Sequence, residues 1–206
     1  EKARAMHTFL EFLYILNREN GQPVHPIKEM PVPTTGARPG EQPWPTQPIP
    51  FTASGKPMEP VCPIVPLEIP PSQLEKYKIV PQYAPFGPNQ IQALGTGGGS
   101  NYSPISYSPQ TGLLYVAAID SPTNPGRGAK GYFSAYDPTT GELVWRNIFE
   151  GYGQAGSVVT ASGIVFVGAG SNIAGYFYAY DAKTGDLLWK FNTGAGVFSS
   201  PSVYMV

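Results

Sequence analysis

Side chains able to do chemistry are sparse in this chain. His7 and His25 are not at metal-ligand spacing, and Cys62 is the single cysteine, so no internal disulfide can form. Cys62 reads as a small apolar residue of a proline-rich stretch. Asp137, Glu142, Asp181 and Asp186 flank Thr-Gly pairs, as turn and surface carboxylates do, and do not make an acid–base pair. Gly97-Gly-Gly99 is no phosphate cradle: no Lys-Ser/Thr follows, and the next segment reads as strand rather than helix. Asn101 closes that glycine run with an amide that can both donate and accept hydrogen bonds. Its alternative reading is a turn residue tolerant of left-handed backbone.

The elements that would position such groups are set by a repeat. Gly131-Tyr-Phe-Ser-Ala-Tyr-Asp-Pro-Thr-Thr-Gly-Glu-Leu-Val-Trp145 returns as Gly175-Tyr-Phe-Tyr-Ala-Tyr-Asp-Ala-Lys-Thr-Gly-Asp-Leu-Leu-Trp189, 44 residues later. A strand-built period of about 40–50 residues is the sign of a β-propeller, one blade per repeat. The aromatic runs have strand propensity, Asp caps a turn, and Gly supplies positive φ. Each Trp closes a return strand with a large flat surface for packing between blades, and its indole N–H needs one partner. Ala135 and Ala179 are small enough to let a ring approach. Setting Gly21 on Gly141 and Gly185 places Asn17 on the Asp, Phe12 on Tyr132 and Tyr176, and His25 on the Trp, which favours packing for that histidine. Residues 3–16 also fit helical spacing, but the repeat favours a strand at Phe12–Leu16, a third and degenerate copy.

The fold class expected is therefore all-β, a partial β-propeller of two full four-stranded blades and two partial ones. The blades fall at 100–149 and 155–192, and a further blade starts at 197–206, where the innermost strand is expected. Propellers close with about four to eight blades, so an arc of this size is read as part of a larger propeller. Residues 22–90 hold 18 of the 24 prolines. They read as an ordered insertion across the propeller, where regular sheet is not expected. Pro43–Pro50 reads as extended polyproline-like backbone, and the capping box Ser72–Glu75 starts one short helix at Gln73.

Composition narrows the function classes. A net charge of −1 argues against nucleic acid or an anionic membrane surface as partner. No apolar stretch of about 18 residues and no signal peptide is visible.

The pattern Ala-x-Asp-x-x-Thr-Gly-x-x-x-Trp at 135–145 and 179–189 resembles the pyrroloquinoline quinone (PQQ) dependent alcohol dehydrogenases. So do Phe12–Gly21, Gly40–Pro50, Tyr107–Val116 and Phe191–Pro201. The resemblance is to the C-terminal part of an eight-bladed catalytic propeller. It implies a periplasmic or membrane-associated bacterial enzyme that oxidises an alcohol or sugar hydroxyl. PQQ would lie near the propeller axis with Ca²⁺ or a lanthanide, and electrons would pass to a cytochrome or quinone. The rest of the propeller would be a partner of this segment. By the same resemblance Asn101 contacts the cofactor, Tyr102 takes an aromatic position beside it, and Gln154 replaces a cofactor-facing Trp. Phe9 stands where the family has a cation. The catalytic base and cation ligands are implied upstream of Glu1. The second reading is a non-enzymatic scaffold of the outer-membrane assembly type.

Overall fold

A computed structural model describes residues 2–8, 11–62, 72, 75–85, 87–92, 98–101, 103–120, 130–171 and 174–204. Among these, β1 (Ala3–His7) and β2 (Leu13–Asn17) pair antiparallel. The stretch that fits helical spacing is thus strand, as the repeat requires. β3 (Ile27–Pro31) pairs with β4 (Thr46–Pro50), and β5 (Lys78–Val80) runs parallel to β6 (Gln90–Gln92). Two four-stranded antiparallel sheets follow. The first is β7 (Ser106–Ser108), β8 (Leu113–Asp120), β9 (Lys130–Tyr136) and β10 (Leu143–Glu150). The second is β11 (Ser157–Val159), β12 (Ile164–Gly170), β13 (Gly175–Asp181) and β14 (Leu187–Asn192). Each sheet is ordered as its strands occur in the chain, which is the pattern of a propeller blade. No helix among the described residues is long and apolar enough to cross a membrane.

The repeat folds the same way each time. Asp137 Oδ1 accepts the Thr139 N–H at 2.7 Å, and Asp181 Oδ1 accepts those of Lys183 and Thr184 at 2.9 Å. The backbone N–H groups of Thr184 and Lys183 hold the Asp181 carboxyl below its ordinary range. Gly141 and Gly185 close these turns at φ 77° and 78°, a left-handed conformation that favours glycine. The degenerate copy obeys the same rule: Asn17 Oδ1 accepts the Glu19 N–H at 2.8 Å, and Gly21 has φ 73°.

Blades are joined by a ring seated on the next blade's turn. Trp145 lies over Gly185, where an added Cβ would fall 2.6 Å from the indole. Its Nε1 donates to Ala182 O at 3.2 Å. Tyr115, Phe133 and Tyr180 surround it with centroids 5.6–6.4 Å away. His25 reproduces the contact one blade earlier. Its Nε2 donates to Pro138 O at 2.8 Å, the repeat equivalent of Ala182 O, and its ring borders Gly141 with Met58 and Thr52.

The insertion departs from expectation in one respect. Regular sheet does form there, because β3 and β4 make a two-stranded ribbon in which Pro31, Pro48 and Pro50 need no donor on their outer edges. The segment expected to be polyproline-like therefore becomes β4 from Thr46 onward. The helix expected from Gln73 lies outside the described residues. The innermost strand expected at 197–206 is not formed among the described residues 197–204, where no further strand is present to pair with it.

The insertion fills the first blade's gap. Pro23 bridges Leu16 and the Val24 N–H donates to Ile15 O at 2.9 Å, so a fourth strand begins and then stops. The chain returns at Val61, whose N–H donates to Glu11 O at 2.7 Å. That is the place where Phe149 of β10 pairs with Gly131 of β9. Met58, Val61 and Cys62 are buried between Leu13 and Ile15 on one side and Leu114, Val116, Tyr132 and Tyr136 on the other.

Removing the seated ring opens a cavity at the blade interface. Trp145→Ala is expected to lower unfolding free energy by about 3 kcal/mol, read from urea denaturation of the full-length chain. Gly185→Val is expected to disrupt the same joint, both by collision with the indole and by its positive φ.

Candidate functional site

Antiparallel blades place their connections at two ends. The turns 109–112, 137–142 and 181–186 lie at one end. The blade-to-blade crossovers, which deliver the chain to each innermost strand, lie at the other. These crossovers pass so close to the preceding blade that side chains are excluded. A Cβ on Gly153 would meet Ala118 O at 2.1 Å and Gly131 Cα at 3.0 Å, and one on Gly175 would meet Ala195 O at 1.9 Å and Gly196 Cα at 2.7 Å. A Cβ on Gly99 would meet Glu11 Cα at 3.0 Å. Successive crossovers are also tied to each other. Ser103 Oγ donates to Gln154 O at 2.5 Å, and the Ser106 and Ser157 hydroxyls bond at 2.7 Å. Gly156 packs against Pro104 and Ser200.

The structure therefore brings the Asn101 and Gln154 crossovers together through Ser103. Asn101 is exposed at the end of a fixed run, since the Ile119 N–H donates to Gly99 O at 2.7 Å and Ser100 Oγ to Ala117 O at 2.8 Å. Gln154 is half-buried. Tyr102 and Phe9 lie outside the described residues. Among the described residues no cluster of three or more His, Cys, Asp or Glu could hold a metal. A cavity of about 540 Å³ between β1 and β7 is lined by Ala3, Ala5, Ile15, Ile105 and Leu114, and among the described residues Tyr107 is the titratable side chain on its wall.

One functional group at this end was missed. Glu11 is fully buried with φ 84°, and its carboxyl faces the side-chain amide of Gln82. Burial pushes its pKa up to about 8, opposed only by the amide of Gln82, so the group is mostly neutral at pH 7. Left-handed backbone at a non-glycine residue costs on the order of 1–3 kcal/mol. The signal was in the repeat, because Glu11 falls on Gly131 and Gly175. At Gly131 the Phe149 ring would lie 2.1 Å from a Cβ. At Glu11 the equivalent place is taken by Val61, which supplies no such ring.

Comparison with known proteins follows the same geometry. The family described as "Glucose/ethanol/alcohol dehydrogenase, beta-propeller domain" matches residues 2–126, and "Outer membrane protein assembly factor BamB" matches residues 129–205. Quinoprotein alcohol dehydrogenase PedE of Pseudomonas putida is 29% identical over 92% of this chain and 30% of its own length. Quinoprotein ethanol dehydrogenase of Pseudomonas aeruginosa is 36% identical over 50% of this chain and 20% of its own. The chain thus spans less than a third of either relative. The solved quinohemoprotein alcohol dehydrogenase ADHIIG of Pseudomonas putida HK5 superposes on 99% of this chain and 30% of its own with a TM-score of 0.57 at 19% identity, a likeness of fold.

The Glu11 carboxyl has a consequence for stability. Its folded pKa stands above the unfolded value, so the folded state binds the extra proton. Its contribution is fully present below about pH 4.5 and is lost as pH rises toward 8. Glu11→Gln is expected to flatten the fall in denaturation midpoint between those limits, and to make the full-length chain more stable than wild type above pH 8.

Proposed function

The chain belongs to the β-propeller family of the glucose, ethanol and alcohol dehydrogenases, and we infer that it is a segment of a PQQ-dependent dehydrogenase acting on an alcohol or sugar hydroxyl. The observation that carries this reading is the glycine-lined crossover end of a propeller of this family, where the crossover that holds Asn101 is joined through Ser103 to the one that holds Gln154.

The residues present fit an anionic quinone. The exposed Asn101 amide can donate to a quinone or carboxylate oxygen, and the Gln154 side chain is a second amide on the adjoining crossover. Burial pushes the Glu11 pKa up to about 8, which lessens the negative charge it carries near neutral pH. When bound, the cofactor supplies two-electron oxidation of the hydroxyl-bearing carbon. This chain's part is to orient the quinone and to exclude water by its close-packed crossovers. Tyr102 is assigned the aromatic place beside Asn101. The base, the Ca²⁺ or lanthanide ligands and the remaining blades belong to other parts of the protein. The acceptor is a cytochrome or quinone, and the location is the bacterial periplasm. Residues 1–206 form one segment of a single propeller domain.

A non-enzymatic propeller scaffold is the rival, favoured by the match of residues 129–205 to the outer-membrane assembly family. The proline-rich insertion that completes the first blade, and Asn101 after its glycine run, speak for the enzyme.

Titration of the full-length chain with PQQ and Ca²⁺, followed by quinone absorbance and by alcohol-dependent dye reduction, separates the two. Binding with turnover is expected of the enzyme, and a full-length chain that binds no PQQ is a scaffold. Asn101→Ala is expected to weaken PQQ binding about tenfold, near the 1.4 kcal/mol of one hydrogen bond to a charged group. Residues 1–206 alone are expected to give no turnover, and turnover by them would overturn the placement of the base elsewhere.

A further inference from the structure

The proline-rich insertion holds a second cavity, of about 350 Å³, lined by Glu41, Gln42, Pro43, Tyr83 and Pro85. Small-molecule pockets start at about 300 Å³, so there is room for a compact ligand and little more.

Both walls are set before a ligand arrives. On one side the Glu41 N–H donates to Arg38 O, and Glu41 Oε2 accepts the Arg38 N–H, both at 2.9 Å. The carboxylate is thereby held in a closed turn, with Oε1 left over and, among the described residues, no cation paired to it. On the other side Tyr83 has left-handed backbone, φ 63°, in a loop closed by the Ala84 N–H on Pro81 O at 3.1 Å. Gln92 Nε2 donates to Pro81 O and Ala84 O at 3.3 Å, which fixes that loop from β6. Preset walls spare a ligand the cost of ordering them.

Tyr83 divides the cavity from Glu11. Burial, then Glu11 and then Tyr14 push its phenol up, so its hydroxyl end lies toward those residues and its ring supplies the cavity wall. Glu11 in turn lies against Gly99, on the crossover that carries Asn101. The cavity thus belongs to the Asn101 end of the first blade.

We propose that this cavity binds two vicinal hydroxyls of a polyol or sugar. A carboxylate oxygen only accepts and the Gln42 amide both donates and accepts, whereas each hydroxyl donates one hydrogen and can accept another. Hydroxyls on adjacent carbons are therefore served by the adjacent side chains Glu41 and Gln42. The bond to the ionised acceptor is about twice as strong as a neutral one. The C–H faces of the ligand pack on the Tyr83 ring, Pro43 and Pro85, and that apolar surface leaves water. A ligand with one hydroxyl strips water from both polar groups and repays only one, and a site built for hydroxyls rejects the analogue that lacks them. An alkylammonium group would meet a single ring here rather than a cage of rings, and would leave the Gln42 N–H without an acceptor. As a binding site this stands without the dehydrogenase reading. As a filter that favours polyols over simple alcohols it rests on that reading.

Titration of the full-length chain with 1-propanol, propane-1,3-diol, propane-1,2-diol and glycerol, read by saturation-transfer NMR, tests the site without cofactor. Propane-1,2-diol and glycerol are expected to bind at least tenfold more tightly than the other two. Glu41→Gln keeps an oxygen for the Arg38 N–H, and hence the turn, but gives up the charge. It is expected to weaken glycerol binding about tenfold and 1-propanol binding less than twofold. Glucose that competes with glycerol identifies a sugar ring as the ligand, and glycerol that glucose fails to displace identifies an open-chain polyol. With PQQ and Ca²⁺ bound, Glu41→Gln is expected to raise the KM for glycerol about tenfold more than the KM for 1-propanol. An unchanged KM ratio beside Glu41-dependent binding keeps the site and removes the filter. Glu41-dependent glycerol binding by a chain that takes up no PQQ keeps the site and removes the dehydrogenase reading. The proposal is overturned if glycerol binds no more tightly than 1-propanol, if Glu41→Gln leaves glycerol binding unchanged, or if butylammonium binds more tightly than glycerol.

Discussion

Everything in this arc of sheets depends on one contact: an aromatic ring laid over the turn glycine of the next blade, its N–H given to a carbonyl beside that glycine. A four-stranded sheet alone leaves both apolar faces wet. The ring joins two sheets across those faces and fixes their angular step, because glycine at the turn allows an approach that any side chain would block. The aromatic cluster of Tyr115, Phe133, Trp145 and Tyr180 then fills the wedge behind it, each pair adding on the order of 0.5–1.5 kcal/mol beyond its buried area. Trp189 has no such seat among the described residues and remains 49% exposed, with all of β14 in contact with solvent.

The second constraint lies at the opposite end, where each crossover must pass within contact distance of the preceding blade. Gly99, Gly153 and Gly196 meet it in the same way. The innermost strands beside them, β7 and β11, have three residues each, and Ser106 and Ser157 bond across them at 2.7 Å. A site built here is made of backbone and amides, with few charges.

Much of the architecture was legible because the repeat repeats its chemistry. Asp137 and Asp181 set the turns, and the period then identified a third copy in which Asn17 and His25 stand for Asp and Trp. That alignment was physically informative, since His25 bonds the carbonyl equivalent to the one Trp145 uses. The insertion was less legible. Proline content argued against sheet, yet a two-stranded ribbon has outer edges that need no donors, and pairing in β3 and β4 is set by partners 15 to 23 residues apart in sequence. The candidate site residues came from two kinds of signal. Asn101 and Gln154 followed from glycine context and resemblance, whereas Glu11 was passed over although it occupies a repeat glycine. Its importance comes from burial, which depends on Val61 returning from a distant segment, and no local pattern announces that.

The small ring at His25 has a consequence for how this protein can be rebuilt. An imidazole covers less of the turn than an indole, and the shortfall is made up by Met58 and Thr52, borrowed from the proline-rich excursion. The excursion is therefore a gasket rather than an ornament. Anyone wishing to excise it for a minimal scaffold would have to restore the missing volume with an indole at position 25 and splice in an uninterrupted outer strand.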